Sequence, residues 1–544
     1  QALNGETGAE LWVFDPEIDI ASMLFSEFTS RGVSYWQDQE SEEERLFLGT
    51  IDGRLIALNL ATGMRVSSFG TRGEVDLTIG VGKVEPGQYS VTSPPAVVND
   101  TVVVGSAIGD NRRVDSERGV VRAVDARTGA IRWSWDPIPR SKNRENWNQW
   151  QADEAQQTGA ANAWAPLSAD PERGLVFVPT GSPSPDYYGG ERIGSNLYAN
   201  SVVALSVETG DVAWHFQTVH HDLWDYDVSA QPVLVDVTQG GERIPAVAQA
   251  TKMGHLFFLH RDTGEPIFPV EERPVPQSDV PGERSWPTQP FPLVTPPLVP
   301  QGLTPDQAWG LTPLDRYFAA RRIAQYRSEG IFTPPSLEGS IQYPGIAGGT
   351  NWGSLSFDPE RELVILNTSR APFVVRLRPR EQFDAEKPPG GFVERAAQLG
   401  TPYGLHREPL FSSLGIPLVT PPWGTLVAVS TRTGLIEWES TLGTVRDLTP
   451  LAWAKKWGTP SMGGPLTTAG GLTFIAAAMD NFLRAFDSET GEELWQARLP
   501  AGGQATPMTF QTSEGRPQYV VICAGGHGKL GTKLGDSVIA YTLQ

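Results

Sequence analysis

The 544-residue sequence is poor in cysteine, in positive charge and in long apolar runs, and each shortage excludes a class of protein. Its single cysteine, Cys523, excludes an intrachain disulfide, a cysteine-rich metal site and the Cys-x-x-Cys-His motif that attaches c-type heme. The 43 basic residues against 63 acidic ones give a net charge of −20, which argues against a nucleic-acid partner. No run of about 18 apolar residues occurs, so we expect no transmembrane segment.

A repeated phrase that ends in tryptophan organises the chain. It reads Ala, any residue, a polar residue, two more residues, Thr-Gly, three more residues and Trp. Apolar alternation before the turn, with Gly where a positive φ is needed, predicts a β-hairpin. Weaker copies occupy 57–67 and 259–268, which gives seven Thr-Gly turns. The five clear copies end at Trp12, Trp133, Trp214, Trp438 and Trp495.

A second repeat supplies an eighth copy in the longest gap between Thr-Gly turns. "WAPLSADPERGLVFVP", which begins at Trp164, aligns with "WGSLSFDPERELVILN", which begins at Trp352. Other β patterns precede most hairpins, and two hairpins make a four-stranded sheet. The sequence therefore predicts an all-β, eight-bladed β-propeller of four-stranded antiparallel blades, with Trp-docking repeats. We expect one domain over 1–544, with the first blade incomplete at its N-terminus.

An insertion interrupts the repeats at about 265–345. Its first part, 265–300, is so rich in proline that we expect no regular structure there. The stretch 312–330 predicts a helix, because Thr312 is a good N-cap, Pro313 suits the first helical position and Asp315 falls in the first turn. We expect this insertion to cover one face of the propeller.

The stretch "QTVHHDLWDYD", 217–227, is unusually dense in titratable groups. Three interpretations are open: a metal site, an acid/base site, or a turn closed by Asp and His over a buried tryptophan. The metal interpretation is the weakest, because adjacent residues on a strand point to opposite faces and His220 and His221 would not easily share one ion. An acid/base role suits alcohol oxidation, in which a positioned base removes the hydroxyl proton.

Six motifs together resemble the quinoprotein alcohol dehydrogenases, which bind pyrroloquinoline quinone (PQQ) and a divalent cation in an eight-bladed propeller. The likeness covers the whole chain and is strongest to the quinoprotein domain of membrane glucose dehydrogenase and to related polyol and quinate dehydrogenases. The motifs are "SRGVSYW" (30–36), "TSPP" (92–95), "TVHHDLWDYD" (218–227), "EGIFTPPS" (329–336), "LPAGGQATPMT" (499–509) and "AGGHGKLGTKLGD" (524–536).

The resemblance implies a role for each of six residues. Asp225, after "HDLW", corresponds to the catalytic base, and a carboxylate beside a cation remains ionised at neutral pH. Lys252 corresponds to the basic residue near the quinone oxygens, where a fixed cation stabilises the charge that forms as hydride arrives. The implied cofactor contacts are Arg31 to a PQQ carboxylate, the Thr92 hydroxyl, Trp164 as the stacking floor, Lys252, and the Asn367 amide.

The simpler alternatives are structural. Arg31 could form a surface ion pair, Thr92 a strand-edge turn, and Trp164 could be one more packing tryptophan. Asp222 and Asp227 are expected to be structural.

The implied cation site uses oxygen ligands, which suit calcium, with another divalent ion or a lanthanide as alternatives. Asp110 corresponds to the family's acidic ligand, although its loop is one residue longer here, and Asn111 is a neighbouring candidate. Ser184 stands where glucose enzymes have a hydroxyl associated with the metal, whereas Ser182 stands where alcohol dehydrogenases of the wider family have Asn.

Glu27 is the predicted substrate residue, since membrane glucose dehydrogenases carry a histidine near the sugar at this place. The alternative is that Glu27 only pairs with Arg31. If Glu27 faces the substrate, it favours a neutral sugar, polyol or bulky secondary alcohol and disfavours quinate-like acids.

The predicted function is therefore a PQQ- and calcium-dependent dehydrogenase that oxidises a small-molecule alcohol. The resemblance implies a quinone or cytochrome c as electron acceptor and a periplasmic location. Two alternatives are a non-catalytic propeller that acts as a protein-binding scaffold, and a quinate-like cyclic acid dehydrogenase of the same family.

Overall fold

The five clear Thr-Gly phrases fold as β-hairpins, as predicted, and each of the two weaker copies returns through a single isolated bridge. A polar side chain closes the turn in six of the seven copies. The Oδ1 atom of Asn59 accepts a hydrogen bond from the backbone N–H of Thr62 at 3.0 Å. Asp125 Oδ1 accepts one from Thr128 N–H at 2.8 Å. The side-chain oxygen thus accepts a hydrogen bond from a backbone N–H of the turn, which explains why the third position of the phrase is polar.

The tryptophan that ends one hairpin packs on the glycine of the next hairpin. Trp12 covers Gly63, where a Cβ atom would lie 2.3 Å from the indole ring. The Trp12 Nε1 atom donates a hydrogen bond to the Leu60 carbonyl at 3.1 Å. Only glycine allows this contact, and its φ of +68° also favours glycine. The same packing joins Trp133 to Gly210, Trp214 to Gly264 and Trp438 to Gly491.

The second repeat also folds twice in the same way. Asp170 Oδ1 accepts a hydrogen bond from Arg173 N–H at 3.1 Å, and the two side chains form an ion pair at 3.1 Å. Asp358 and Arg361 repeat both contacts, at 3.1 and 3.0 Å. The matched sequences therefore have matched turns.

The computed structural model describes residues 1–21, 23–26, 28–151, 155–388, 390–447 and 456–542. The chain forms two compact units, and the first comprises 1–222, 262–264 and 397–401. Short 3₁₀-helices there span Trp147–Gln149, Ala155–Gln157 and Gly190–Arg192. Its strands are β1 (Ala2–Leu3), β2 (Glu10–Trp12), β3 (Ser34–Gln37), β4 (Glu44–Gly49), β5 (Arg54–Asn59), β6 (Glu74–Asp76), β7 (Tyr89–Ser90), β8 (Ala96–Val98), β9 (Thr101–Val104), β10 (Ala107–Ile108), β11 (Val121–Asp125), β12 (Ile131–Trp135), β13 (Ser168–Asp170), β14 (Leu175–Pro179), β15 (Ser201–Ser206) and β16 (Val212–Gln217).

Three four-stranded antiparallel sheets form the described part of the first unit, with the strand orders β3-β4-β5-β6, β12-β11-β9-β8 and β13-β14-β15-β16. Two-stranded sheets pair β1 with β2 and β7 with β10. Buried aliphatic and aromatic side chains of successive sheets form continuous apolar clusters, for example around Phe47 and around Trp135.

The second unit comprises 223–261, 265–396 and 402–544. Its helices are α1 (Pro313–Ile323), α2 (Arg380–Ala385) and a 3₁₀-helix at Pro305–Gln307. Its strands are β17 (Val233–Gln239), β18 (Glu242–Ala250), β19 (Leu256–His260), β20 (Val270–Pro274), β21 (Thr288–Pro292), β22 (Ser340–Gln342), β23 (Leu355–Asp358), β24 (Leu363–Ser369), β25 (Phe373–Pro379), β26 (Glu394–Ala396), β27 (Tyr403–Pro409), β28 (Gly424–Ser430), β29 (Ile436–Thr441), β30 (Leu466–Thr467), β31 (Leu472–Ile475), β32 (Phe482–Asp487), β33 (Glu493–Arg498), β34 (Met508–Gln511), β35 (Gln518–Ala524) and β36 (Ser537–Thr542).

These strands also pair antiparallel. Four-stranded sheets have the orders β23-β24-β28-β29, β30-β31-β32-β33 and β22-β25-β27-β26. Three-stranded sheets have the orders β17-β18-β19 and β34-β35-β36. The all-β class and the four-stranded antiparallel sheets are thus confirmed, whereas the number of eight blades, the single domain and the covered face remain predictions.

The expectation that 265–300 has no regular structure was wrong. Strands β20 and β21 pair there, with Val270 opposite Pro292, Glu272 opposite Pro290 and Pro274 opposite Thr288. Hydrogen-bonded and non-hydrogen-bonded pairs alternate along an antiparallel ladder, and these three pairs are two residues apart, so all three prolines lie in pairs of the same kind. A strand can therefore hold them where no N–H is needed by its partner.

The predicted helix is present as α1, although it ends at Ile323, before the end of the 312–330 stretch. The Thr312 hydroxyl accepts the hydrogen bond of Asp315 N–H at 3.1 Å, and Pro313 opens the first turn. Of the helices described, none has the length and apolar character needed to cross a membrane.

Candidate active site

In the second unit, two anchored aromatic residues hold Asp225 between them. Trp224 Nε1 donates to the Thr333 carbonyl at 2.7 Å, and the Tyr226 hydroxyl donates to the Pro344 carbonyl at 3.2 Å. The two rings are nearly parallel, with centroids 6.1 Å apart. Asp225 itself has a φ of +59°, a conformation that costs about 1–3 kcal/mol for a non-glycine residue. The anchors on both sides hold this strained backbone and fix the direction of the carboxylate.

Two cations divide the oxygens of the buried Asp225 carboxylate. Lys252 Nζ lies 2.6 Å from Oδ1, and Arg407 Nη1 lies 3.1 Å from Oδ2. The Lys252 ammonium group also donates to the Asp225 carbonyl at 2.8 Å and to Asp227 Oδ2 at 3.1 Å. Burial raises the pKa of Asp225, and the adjacent charge of Lys252, followed by that of Arg407, opposes the rise. The two residues predicted to be catalytic therefore lie side by side, and their roles remain predictions.

Lys252 is held by the backbone that crosses it. It lies in the turn between β18 and β19, and Gly348 passes over its aliphatic stem. A Cβ atom on Gly348 would lie 2.6 Å from the Lys252 Cα atom. The N–H of Gly349 donates to the Lys252 carbonyl at 2.7 Å. Because Gly348 and Gly349 in "IAGGTNWG" have no side chains, the backbone of this segment can pass close to Lys252 and restrain it.

Arg407 is a member of this cluster that sequence reasoning missed. It lies on β27, 182 residues after Asp225, and its guanidinium group also contacts Glu394 on β26. No motif marks it, because "GLHREP" resembles an ordinary half-buried strand. Asp227 was expected to be structural, and the structure gives it a contact with Lys252.

Asn367 lies on β24 of the second unit and is buried. Its Nδ2 atom donates to the Ser461 hydroxyl at 2.8 Å. Its Oδ1 atom is buried without a hydrogen-bond partner in the described part of the chain. A buried amide oxygen of this kind is costly unless a ligand or water satisfies it, so Asn367 fits the predicted role of a cofactor contact.

In the first unit, Arg31, Thr92 and Trp164 come together. The Arg31 guanidinium donates to the Thr92 hydroxyl at 2.7 Å and lies 5.3 Å from the centre of the Trp164 ring. Thr92 and Trp164 also line a small recess. A guanidinium, a hydroxyl and an indole face beside a recess fit a planar cofactor that bears carboxylates. Glu27 lies outside the described residues.

The predicted cation ligands lie on two loops of the first unit. Asp110 is exposed, whereas Asn111 and Ser184 are buried. The Asn111 side chain accepts from Asp186 N–H at 3.0 Å and donates to the Asp186 carboxylate at 2.5 Å, and the Ser184 hydroxyl donates to the Arg113 carbonyl at 2.8 Å. The atoms that Asp110, Asn111 and Ser184 could offer to a metal are carboxylate, amide and hydroxyl oxygens, which fits a hard cation.

Asp186, in "PTGSPSPDYYGG", is an acidic neighbour of the predicted cation ligands that sequence reasoning missed. Among the residues that the structure describes, no group of three or more His, Cys, Asp or Glu side chains is placed to hold a metal ion. A cation here would therefore need amide and hydroxyl oxygens as well as carboxylates.

The two adjacent histidines follow β16, in bends rather than in a strand. His220 Nδ1 lies 2.7 Å from the Gln217 side-chain oxygen, and His221 Nδ1 lies 2.9 Å from the Gly194 carbonyl. The prediction that strand alternation points the two side chains to opposite faces was therefore wrong, because the two residues do not lie in a strand. Their ring nitrogens contact different groups, and His221 packs within the protein core.

Comparisons with known proteins place the chain in a family. The family described as "PQQ: Glucose/ethanol/alcohol dehydrogenase, beta-propeller domain" matches residues 1–520. The quinoprotein glucose dehydrogenase of Escherichia coli is 40% identical, over 100% of this chain and 70% of that protein. The quinate/shikimate dehydrogenase (quinone) of Acinetobacter baylyi is 36% identical, over the same shares. The quinohemoprotein alcohol dehydrogenase of Comamonas testosteroni has a similar solved fold, with a TM-score of 0.68 and 23% identity, over 99% of this chain and 70% of that one.

The sheets and the family match together define a β-propeller oxidoreductase. The chain belongs to the PQQ-dependent glucose/ethanol/alcohol dehydrogenase family. This membership confirms the resemblance identified from the sequence motifs and the prediction of a quinoprotein dehydrogenase.

Proposed function

We propose that the protein is a PQQ- and calcium-dependent dehydrogenase that oxidises a hydroxyl of a neutral sugar, polyol or bulky secondary alcohol to the carbonyl. The observation that carries the proposal is the buried Asp225 carboxylate, fixed by Lys252 and Arg407 within a chain of this family. When bound, PQQ supplies the acceptor for the hydride that leaves the alcohol carbon. Asp225 is the base that takes the hydroxyl proton.

The Oδ2 atom of Asp225 is the better proton acceptor of its two oxygens. Lys252 lies 2.6 Å from Oδ1, whereas Arg407 lies 3.1 Å from Oδ2, so Oδ2 is the less strongly engaged. A carboxylate oxygen has two lone-pair sites, and one on Oδ2 remains for the substrate hydroxyl. Burial raises the pKa of Asp225 towards neutral pH, and a general base is most effective when its pKa lies near the working pH.

Arg31, Thr92, Trp164, Lys252 and Asn367 are proposed to hold the cofactor. Arg31 offers a charge-assisted hydrogen bond to a carboxylate, and Trp164 offers a flat apolar surface. Asn367 offers a buried amide oxygen, and Lys252 a fixed positive charge near Asp225.

Asp110, Asn111 and Ser184 are the proposed ligands of the cation, for which calcium is the first choice. Asp186, which contacts Asn111, adds a carboxylate to the same loops. Another divalent ion or a lanthanide is an alternative that has the same preference for oxygen.

A neutral substrate suits the charge around Asp225. Three carboxylates, Asp225, Asp227 and Glu394, share ion pairs with two cations, Lys252 and Arg407. These five groups sum to a net charge of −1, which supports a neutral substrate, and the charge of Lys529, which also acts on Glu394, opposes this preference. Relatives named for glucose and for quinate have similar identity to this chain, so identity does not choose between neutral and acidic substrates.

The wider proposal includes an eight-bladed propeller in one domain over 1–544, with the insertion at about 265–345 covering one face. It also includes a quinone or cytochrome c as electron acceptor and a periplasmic location, on the grounds of family membership.

Reconstitution of the purified protein with PQQ and calcium tests the function. Glucose, glycerol, a bulky secondary alcohol and quinate are offered with an artificial dye as acceptor, and samples without PQQ, without calcium, or with NAD alone are the controls. We expect oxidation only when PQQ and the cation are both present, with neutral substrates preferred. Oxidation with NAD alone would contradict the proposal, and preference for quinate would favour the acid dehydrogenase instead.

A further inference from the structure

Arg407 occupies a position where a charged side chain is unexpected. On β27, Tyr403, Leu405 and Arg407 are buried, whereas His406 and Glu408, on either side of Arg407, are half-buried. The Arg407 side chain is only 10% exposed. An apolar residue would fill such an inward position at no electrostatic cost, whereas a buried cation is unfavourable unless it is paired. The presence of arginine at this buried position therefore suggests that its charge or its hydrogen bonds have a role that an apolar side chain could not fill.

Glu394 fixes the orientation of the Arg407 guanidinium. The two residues are directly opposite each other in the pairing of β26 with β27. Arg407 Nε and Nη2 each lie 2.8 Å from a different oxygen of Glu394, which is the two-point geometry that arginine forms with a carboxylate. The Glu394 side chain is 53% exposed, and although partial desolvation raises its pKa, its hydrogen bonds with Arg407 lower the pKa overall. Two of the three guanidinium nitrogens are thus held, and the third, Nη1, is directed at Asp225.

We propose that Arg407, braced by Glu394, is a positioning residue that aims Asp225 Oδ2 and keeps the Asp225 carboxylate ionised. This inference rests on the proposed role of Asp225 as the base. The charged groups that face Asp225 are Lys252, Asp227 and Arg407. Lys252 is shared with Asp227 and Arg407 with Glu394, and the charge of Lys252, followed by that of Arg407, favours the ionised base.

Two substitutions have opposite electrostatic effects. Arg407→Gln removes a cation next to Asp225 and should move the acid limb of the kcat/KM profile up by about 1–2 pH units. Glu394→Gln leaves Arg407 beside Asp225 but removes a competing negative charge, so the acid limb should move down. A merely structural defect would not reverse its sign between two partners of one ion pair.

The controls separate charge from geometry. Arg407→Lys keeps the charge but loses the two-point contact, so its acid limb should stay near the wild-type position while kcat falls about threefold to tenfold. Arg376→Gln changes an arginine on neighbouring β25, whose Nε donates to the Glu338 carbonyl, and should leave the profile unchanged.

An independent readout uses the protein without PQQ. Infrared difference spectroscopy follows the carboxyl stretch that appears when Asp225 is protonated, assigned by its loss in Asp225→Asn. We expect that band to appear at higher pH in Arg407→Gln than in the wild type. If Arg407→Gln does not fold, Glu394→Gln and Arg407→Lys carry the test, because the acid limb should move down in the first variant and stay near the wild-type position, with a lower kcat, in the second.

The outcomes distinguish the two proposals. A wild type without PQQ-dependent alcohol oxidation overturns the proposed function. An active wild type, together with an Arg407→Gln variant whose pH profile and infrared titration match it, overturns the role of Arg407 alone.

Discussion

Replacement of Asp225 by asparagine should separate proton removal from cofactor binding. Asparagine is nearly isosteric, but it has one acceptor oxygen and an amide nitrogen that only donates. Because asparagine is neutral, the ion pairs with Lys252 and Arg407 are both lost, and if its oxygen faces Lys252, as Asp225 Oδ1 does at 2.6 Å, its amide group faces Arg407. Because Arg407 keeps Glu394 as a partner, the loss in the free energy of unfolding should be about 1–3 kcal/mol. The protein should therefore still fold and still bind PQQ.

The loss in turnover should be much larger than the loss in stability. Removal of a general base typically lowers the rate by about 10²- to 10⁴-fold, which raises the activation free energy by roughly 3–5 kcal/mol. The assay is dye-linked kcat at saturating PQQ, with PQQ affinity measured by quenching of tryptophan fluorescence. A variant with near-normal kcat would mean that another group removes the proton, and the assignment of Asp225 would be wrong.

Asp480→Asn is the matched control for a buried ion pair. Asp480 binds Arg484 at 2.5 Å, and both side chains are almost completely buried. Its loss should destabilise the protein by a similar or greater amount, but kcat should remain within about twofold of the wild type. If both variants lost turnover equally, the effect of Asp225→Asn would reflect stability rather than catalysis.

Three further predictions concern other parts of the molecule. Gly63→Ala should lower the free energy of unfolding, measured by urea denaturation, by about 1–3 kcal/mol more than Gly8→Ala, because a Cβ atom would meet the Trp12 ring at 2.3 Å, whereas Gly8 has the same turn with nothing within 4 Å. Equal losses would contradict tryptophan docking. Arg31→Leu should weaken PQQ affinity by roughly 10- to 100-fold in a fluorescence titration, because a charged hydrogen bond is lost. Glu27→Gln should raise kcat/KM for quinate relative to glucose, and an unchanged ratio would return Glu27 to pairing with Arg31.

Local chemistry explains which parts of the fold were predictable. The Thr-Gly hairpins and the Thr312 cap depend on residues within a few positions of each other, and both appear where the sequence indicated them. The strands within 265–300 were missed because proline content alone does not show the alternation that places Pro290 and Pro292 in one class of pair. Composition describes how many prolines a segment has, whereas strand formation depends on where they fall.

In the candidate site, too, residues within local motifs could be predicted from the sequence, whereas residues brought in by distant contacts could not. Asp225 lies in "TVHHDLWDYD" and Lys252 in "ATKMG" (250–254), which both resemble family motifs, so both residues could be named from the sequence. Arg407 could not, because its importance comes from the pairing of β26 with β27 and from a contact across 182 residues. Asp186 was also missed, since its contact with Asn111 joins two loops that are 75 residues apart.

The packing of Trp12 on Gly63 has an evolutionary consequence. The contact has a direction, because the tryptophan that ends one repeat covers the turn glycine of the next. A duplicated repeat therefore arrives with both halves of the contact, a glycine for its predecessor and a tryptophan for its successor. Whole repeats can be gained by duplication without compensating substitutions, and a connection such as the one after Gly264 can lengthen while Trp214 stays packed on that glycine.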